Sequence, residues 1–112
     1  MTVTEKLNGY GPLAGIKVVE VCTYVAAPAT VRVLSEMGAE VIKIESFAGD
    51  TQRTQGPGFG CELTDTEDPT IDLNNTNKNW VSLNLKDPEG LAIAKKMIGE
   101  ADIFMNNMRT AA

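Results

Sequence analysis

Histidine is absent from all 112 residues. That excludes a Ser-His-Asp or Cys-His mechanism within this chain, and any His-bearing metal site. Chemistry here has to rest on Asp, Glu, Lys, Tyr or Ser. Cysteine is scarce: Cys22 and Cys61 stand alone, at a spacing that fits no metal-ligand pattern, and no metal is expected. Two unpaired thiols are expected, Cys22 buried at a strand end, in a reducing compartment with the cytoplasm as default. No apolar run approaches the roughly 20 residues of a membrane span, and residues 1–11 are too polar for a signal peptide. No dense Lys/Arg stripe offsets the net charge of −5, which argues against a nucleic-acid surface.

What is present reads as a soluble globular chain, with 43% hydrophobic residues. Its length allows one modest domain that buries roughly two-thirds of its unfolded surface. The strongest pattern runs from Gly15 to Glu45. Residues 16–22 are Val/Ile-rich, as a buried parallel strand requires. Pro28 suits the first residue of a helix, where no backbone donor is needed. Val31, Leu34 and Met37, with Val33 adjacent, form an apolar helical face, and Gly38 supplies a left-handed stop. A second strand follows at 41–44. The connection contains a helix, so the two strands should be parallel with a right-handed crossover. This βαβ unit predicts an α/β fold, a Rossmann-like parallel sheet with flanking helices that binds ligands at its strand C-termini. Where a dinucleotide binder shows Gly-x-Gly-x-x-Gly, this chain has Tyr24-Val25-Ala26-Ala27-Pro28.

Residues 46–75 change character, being rich in Gly, Thr and Asp without periodicity. Such a loop inside a compact domain is usually a lid or an interface element. A third strand is predicted over 80–85. Asp87, Pro88 and Glu89 then read as a helix N-cap, a first-turn proline and a dipole-favoured acid. Leu91, Ala94, Met97 and Ile98 form that helix's apolar face, and a short fourth strand is predicted over 103–105. Parallel strands would bring Tyr24, Val25, Ala26, Ser46, Lys86, Asn107 and Arg109 to one sheet edge. Lys86 as a point charge and Arg109 as a fork are candidate phosphate partners there.

Ordered motifs run along nearly the whole chain. They are Pro12-Leu-Ala-Gly-Ile-Lys-Val-Val-Glu-Val21, Ala26-Ala-Pro28, Gly38-Ala-Glu-Val-Ile-Lys-Ile-Glu45, Gly49-Asp50, Asn77-Lys78, Leu83-Asn-Leu-Lys-Asp-Pro-Glu-Gly90 and Ala101-Asp102. In this order they resemble the start of the class III (formyl-CoA/carnitine-type) CoA-transferases. The resemblance implies that residues 1–112 are the N-terminal, coenzyme-A-binding part of a larger Rossmann-like domain, in a subunit several times longer. It also implies a homodimer of two interlocked rings, and acyl-CoA and a carboxylic acid as substrates. Family coenzyme A contacts fall on Val25, Ala26, Ser46, Leu83, Asn84, Leu85, Lys86, Asn107, Met108 and Arg109. Family members often carry Arg at the position of Ser46 and an aromatic at the position of Met108, whose thioether can still pack on an adenine.

Chemistry in the family is covalent catalysis by an aspartate, which the resemblance places beyond Ala112. None of Asp50, Asp65, Asp68, Asp72, Asp87 or Asp102 stands at its position. The middle loop is similar to that of transferases acting on 2-hydroxy acids such as aryl-lactates or 2-hydroxyisocaproate. Two alternatives stay open. An acyl-CoA racemase shares these N-terminal motifs and would exchange an α-proton by downstream acid/base residues. A non-catalytic α/β nucleotide-binding module is the other, although four strands would leave apolar faces uncovered.

Overall fold

The computed structural model describes residues 10–64 and 66–110; Asp65 lies outside them. Four strands and three helices alternate along the chain: β1 (Lys17–Val21), α1 (Ala26–Glu36), β2 (Glu40–Glu45), α2 (Pro69–Leu73), β3 (Asn79–Ser82), α3 (Pro88–Gly99) and β4 (Ile103–Asn106). Every pairing is parallel, in the order β3-β2-β1-β4. β1 is therefore central, and the order reverses between β1 and β4. In open α/β sheets a ligand crevice forms at that reversal, outside the strand C-termini.

Side-chain alternation along β1 divides the core between the two sheet faces. Val18 packs with Val31, Ala39 and Val41 on the α1 face. Val19 packs with Ile44 and Ala94 on the α3 face, where Leu83, Leu85, Met97 and Ile98 join them. The predicted α/β sheet with helices on both faces is thus present. Strand bounds shift modestly from those expected. The third strand leaves the sheet early, at Ser82, because Asn84 Oδ1 accepts the Lys86 amide at 3.1 Å and turns the chain.

The helices depart from expectation in instructive ways. α1 begins at Ala26, so Pro28 is its third residue rather than its first. The whole first turn lacks intrahelical acceptors for its N–H groups, so proline is tolerated there. Its buried residues are Ala27, Pro28, Val31 and Ser35, whereas Val33 and Met37 are exposed. The expected apolar face is therefore rotated, because Thr76 and Asn77 cover Ser35: its Oγ donates to Thr76 O and its carbonyl accepts from Asn77 Nδ2. α1 does end at Gly38 (φ +105°), with Ala39 N–H bonded to Leu34 O and Gly38 N–H to Ser35 O. In α3, Asp87 caps the Glu89 amide as predicted, and Ala94 is buried, but Leu91 is exposed.

Segment 46–75 is not slack. It forms two 3₁₀ turns, Thr51–Thr54 and Gly56–Phe59, before α2. Asp50 caps the first turn and Asp68 caps α2. Gln52, Thr70, Ile71, Asn74 and Asn75 are buried. Thr70 Oγ1 donates to Gln52 O, and Asn74 Nδ2 donates to Gln52 Oε1. Hydrogen bonds among these short polar side chains replace the apolar periodicity that the segment lacks.

Candidate functional site

The C-terminal ends of the four strands open on a cleft of about 220 Å³. Cys22 and Thr23 contribute from the end of β1, Ser46, Gly49 and Asp50 from beyond β2, Asn84, Leu85 and Lys86 from beyond β3, and Met108 from beyond β4. Its walls are largely apolar, with Lys86 at the rim. A smaller hollow lies at the other end of the sheet, between Lys17, Glu40 and Met97. It lacks the convergence of loops that the C-terminal edge has.

A network of charged side chains, most of them buried, supports the floor of this edge. The parallel register sets Glu20 beside Lys43 on neighbouring strands, and both side chains are fully buried. Lys78 Nζ donates to Glu20 Oε1 at 2.7 Å, Pro28 O at 2.8 Å and Asn75 Oδ1 at 2.9 Å, using all three of its protons. Lys43 Nζ lies 2.9 Å from Asp50 Oδ2 and 3.6 Å from Glu20 Oε1, and donates to Cys22 O at 2.8 Å. Glu45 Oε2 accepts the Asp50 amide at 2.7 Å, and both Glu45 oxygens bond the half-buried Arg53 fork. The Arg53 guanidinium in turn stacks on Trp80, 4.9 Å from the ring centroid.

These surroundings set the protonation states. Burial pushes the Cys22 thiol up to about 12, and the neighbouring Glu20 charge adds to the rise. Cys22 is therefore a neutral thiol and no nucleophile near pH 7. Burial draws the Lys78 ammonium downward, and the Glu20 carboxylate partly offsets it. The Glu45 carboxylate holds Arg53 higher than usual. Burial alone would raise Asp50, but the Gln52 and Tyr24 amides and the Lys43 ammonium outweigh it and hold its carboxyl below the ordinary range.

A depressed carboxylate stabilises the fold above its unfolded value of about 3.9, and loses that contribution as pH falls through the lower folded value. Asp50→Asn in the intact protein is therefore expected to lower Tm at neutral pH. The gap to the unaltered protein should narrow below about pH 4. A melting series in acid reads this, and a gap independent of pH would refute the assignment.

Of the residues expected to contact a ligand, Ser46, Asn84, Leu85, Lys86 and Met108 line the one cleft. Leu83 packs under the sheet and borders an adjoining groove with Phe47 and Ile93. Val25, Ala26 and Arg109 are exposed around the same edge without lining the cleft. Asn107 has its amide on the Thr23 peptide, and Tyr24 takes a left-handed φ of +72°. Glu20, Lys43, Glu45 and Arg53 do not announce themselves as a set in the sequence. A signal was there, since Glu20 and Lys43 are charges inside otherwise apolar strand runs.

Comparison with known proteins adds a family to this geometry. A family model described as CoA-transferase family III matches residues 13–112. An (R)-2-hydroxy-4-methylpentanoate CoA-transferase of Clostridioides difficile is 46% identical over 100 residues, covering 89% of this chain and 25% of that protein. A cinnamoyl-CoA:phenyllactate CoA-transferase of Clostridium sporogenes is 46% identical over 105 residues, covering 94% of this chain and 26% of that protein. A crystal structure of a CaiB/BaiF family protein from Brucella suis superposes with a TM-score of 0.79 at 31% identity, over 90% of this chain and 27% of that one. The chain spans about a quarter of the length of the curated relatives it matches. Among the described residues, no helix is long and apolar enough to cross a membrane.

Proposed function

The chain belongs to CoA-transferase family III, and from that membership we propose that the protein moves coenzyme A from an acyl-CoA to a free 2-hydroxy acid. This chain would form the coenzyme's seat on the strand edge. The observation that carries the reading is the convergence of Ser46, Asn84, Leu85, Lys86 and Met108 on one cleft at that edge. Lys86 and Arg109 supply positive charge for phosphates. The N-terminus of α1 has no side-chain cap, so the Ala26 and Ala27 amides are open to a phosphate there. Met108 and Leu85 offer apolar surface to an adenine or the pantetheine arm.

With no histidine in the chain and Cys22 held as a thiol, these residues supply no imidazole or thiolate nucleophile of their own. The resemblance assigns that role to an aspartate that is none of this chain's own. Its carboxylate oxygen attacks the thioester carbonyl and expels coenzyme A thiolate, leaving a mixed anhydride. The thiolate then attacks the aspartyl carbonyl, releasing the donor acid and forming an aspartyl-CoA thioester. The acceptor acid reverses the two steps. One difficult exchange becomes several easier ones, and fixed donors stabilise each oxyanion. The relatives at 46% identity are named for 2-hydroxy acids, which supports that acceptor class. A homodimer in the cytoplasm completes the proposal.

The test is acyl-CoA exchange by the intact protein, followed by mass spectrometry, with cinnamoyl-CoA as donor. Phenyllactate and (R)-2-hydroxy-4-methylpentanoate serve as acceptors. Exchange is expected, with Lys86→Ala raising the acyl-CoA KM about tenfold while kcat holds, as for a group that binds remotely from the reaction. Loss of α-deuterium from labelled phenyllactyl-CoA, supplied as a separate substrate, without transfer would point to a racemase, and no turnover across the panel would sink the reading.

A further inference from the structure

Three consecutive residues after β1 have their backbone groups held by side chains from other parts of the fold. Lys43 Nζ, on β2, donates to Cys22 O at 2.8 Å. The Asn107 amide, just beyond β4, brackets the next residue: its Oδ1 accepts from Thr23 N–H at 3.0 Å and its Nδ2 donates to Thr23 O at 2.8 Å. Asp50 Oδ1, in the loop beyond β2, accepts from Tyr24 N–H at 2.9 Å. Lys43 and Asp50 are themselves paired at 2.9 Å, and the Asp50 amide is tied to Glu45 at 2.7 Å. Four hydrogen bonds thus converge on a segment that has left the sheet ladder.

Tyr24 explains why such restraint is needed. Its φ of +72° places a bulky residue in the left-handed region, a strained conformation that persists only where the surroundings enforce it. A glycine would relieve the strain but leave the loop free to sample other shapes. The loop leads directly into the uncapped first turn of α1.

We infer that Asp50 and Asn107, with Lys43 beneath them, are positioning residues that clamp the 22–24 peptides and so hold the first turn of α1 ready for coenzyme A. Asn107 then acts through Thr23 rather than as a direct contact. The inference rests on the coenzyme A reading above and deepens it.

Asn107 is exposed, so Asn107→Ala in the intact protein spares the core. Two readouts are taken: coenzyme A affinity by titration calorimetry, and peptide-level hydrogen exchange over residues 22–26 without ligand. Loss of two hydrogen bonds on the loop is expected to weaken coenzyme A about tenfold and to speed exchange in the free protein. Asn107→Asp, which keeps the acceptor for Thr23 N–H, should fall between. Asp50→Asn, which keeps an acceptor for Tyr24 N–H but loses the charge facing Lys43, should disturb exchange less than Asn107→Ala. Weakened binding with unchanged exchange would make Asn107 a direct contact and overturn the clamp. Unchanged affinity would overturn it as well. If the unaltered protein fails to bind coenzyme A, the reading beneath falls and the claim about affinity with it. The exchange data then decide by themselves whether the loop is clamped.

Discussion

Replacing Lys78 with Ala is expected to destabilise the intact protein by about 3–5 kcal/mol, the range for removing one partner of a buried ion pair. Both Lys78 and Glu20 side chains are fully buried. Lys78 supplies the shortest contact to Glu20 and also satisfies Pro28 O and Asn75 Oδ1. Without it, the remaining cation beside Glu20 among the described residues is Lys43, at 3.6 Å, and the two other acceptors lose their donor. Desolvation decides the size of the effect, because water cannot reach the stranded carboxylate. Urea denaturation reads it as a fall in midpoint at constant m. A double change, Glu20→Met with Lys78→Met, removes both charges and should recover more than half the loss. A Lys78→Ala loss below about 1 kcal/mol, the usual worth of an exposed pair, would mean that the network is solvated.

The second large effect is expected from Gly90→Ala. A Cβ there would strike the carbonyl of Asn84, which is backbone and cannot swing aside. That carbonyl also accepts the Asp87 amide at 3.1 Å, so α3 and the loop before it are locked together. Either the helix or the loop must shift, at about 1–3 kcal/mol for overpacking. Because Asn84, Leu85 and Lys86 line the cleft, the acyl-CoA KM should rise along with the fall in Tm. Gly99→Ala is the control, since a Cβ there meets nothing within 4 Å. Near the end of α3 it should be neutral or mildly stabilising through helix propensity. Equal effects of the two substitutions would remove the close approach at Gly90 as the cause.

How much could be read beforehand differs from element to element. The strands at Val18, Val19, Val41 and Ile44 announce themselves because residues buried on both faces give unbroken apolar runs. The Asp87 cap and the Gly38 stop are equally local, each needing only its neighbours in sequence. Exposure of Val33, Met37 and Leu91 was not legible, since a helix shows its apolar residues but not which of them another segment will cover. The motif pairs Gly49-Asp50 and Asn77-Lys78 stood out, yet nothing near them in sequence says that they meet Lys43 and Glu20.

A parallel α/β sheet, the edge on which its loops gather, and a family resemblance are all legible in the chain alone. All of these depend on periodicity, turn chemistry or motif order within short windows. Tertiary structure alone decided that Glu20, Lys43, Asp50 and Lys78 form one buried network, and that Asn107 and Asp50 grip the Tyr24 loop. Those partners lie between 7 and 84 residues apart. Their meeting depends on the β3-β2-β1-β4 order and its register. A charge inside an apolar strand reads as a fault until its counter-charge arrives from elsewhere in the chain, and low dielectric then makes the pairing obligatory.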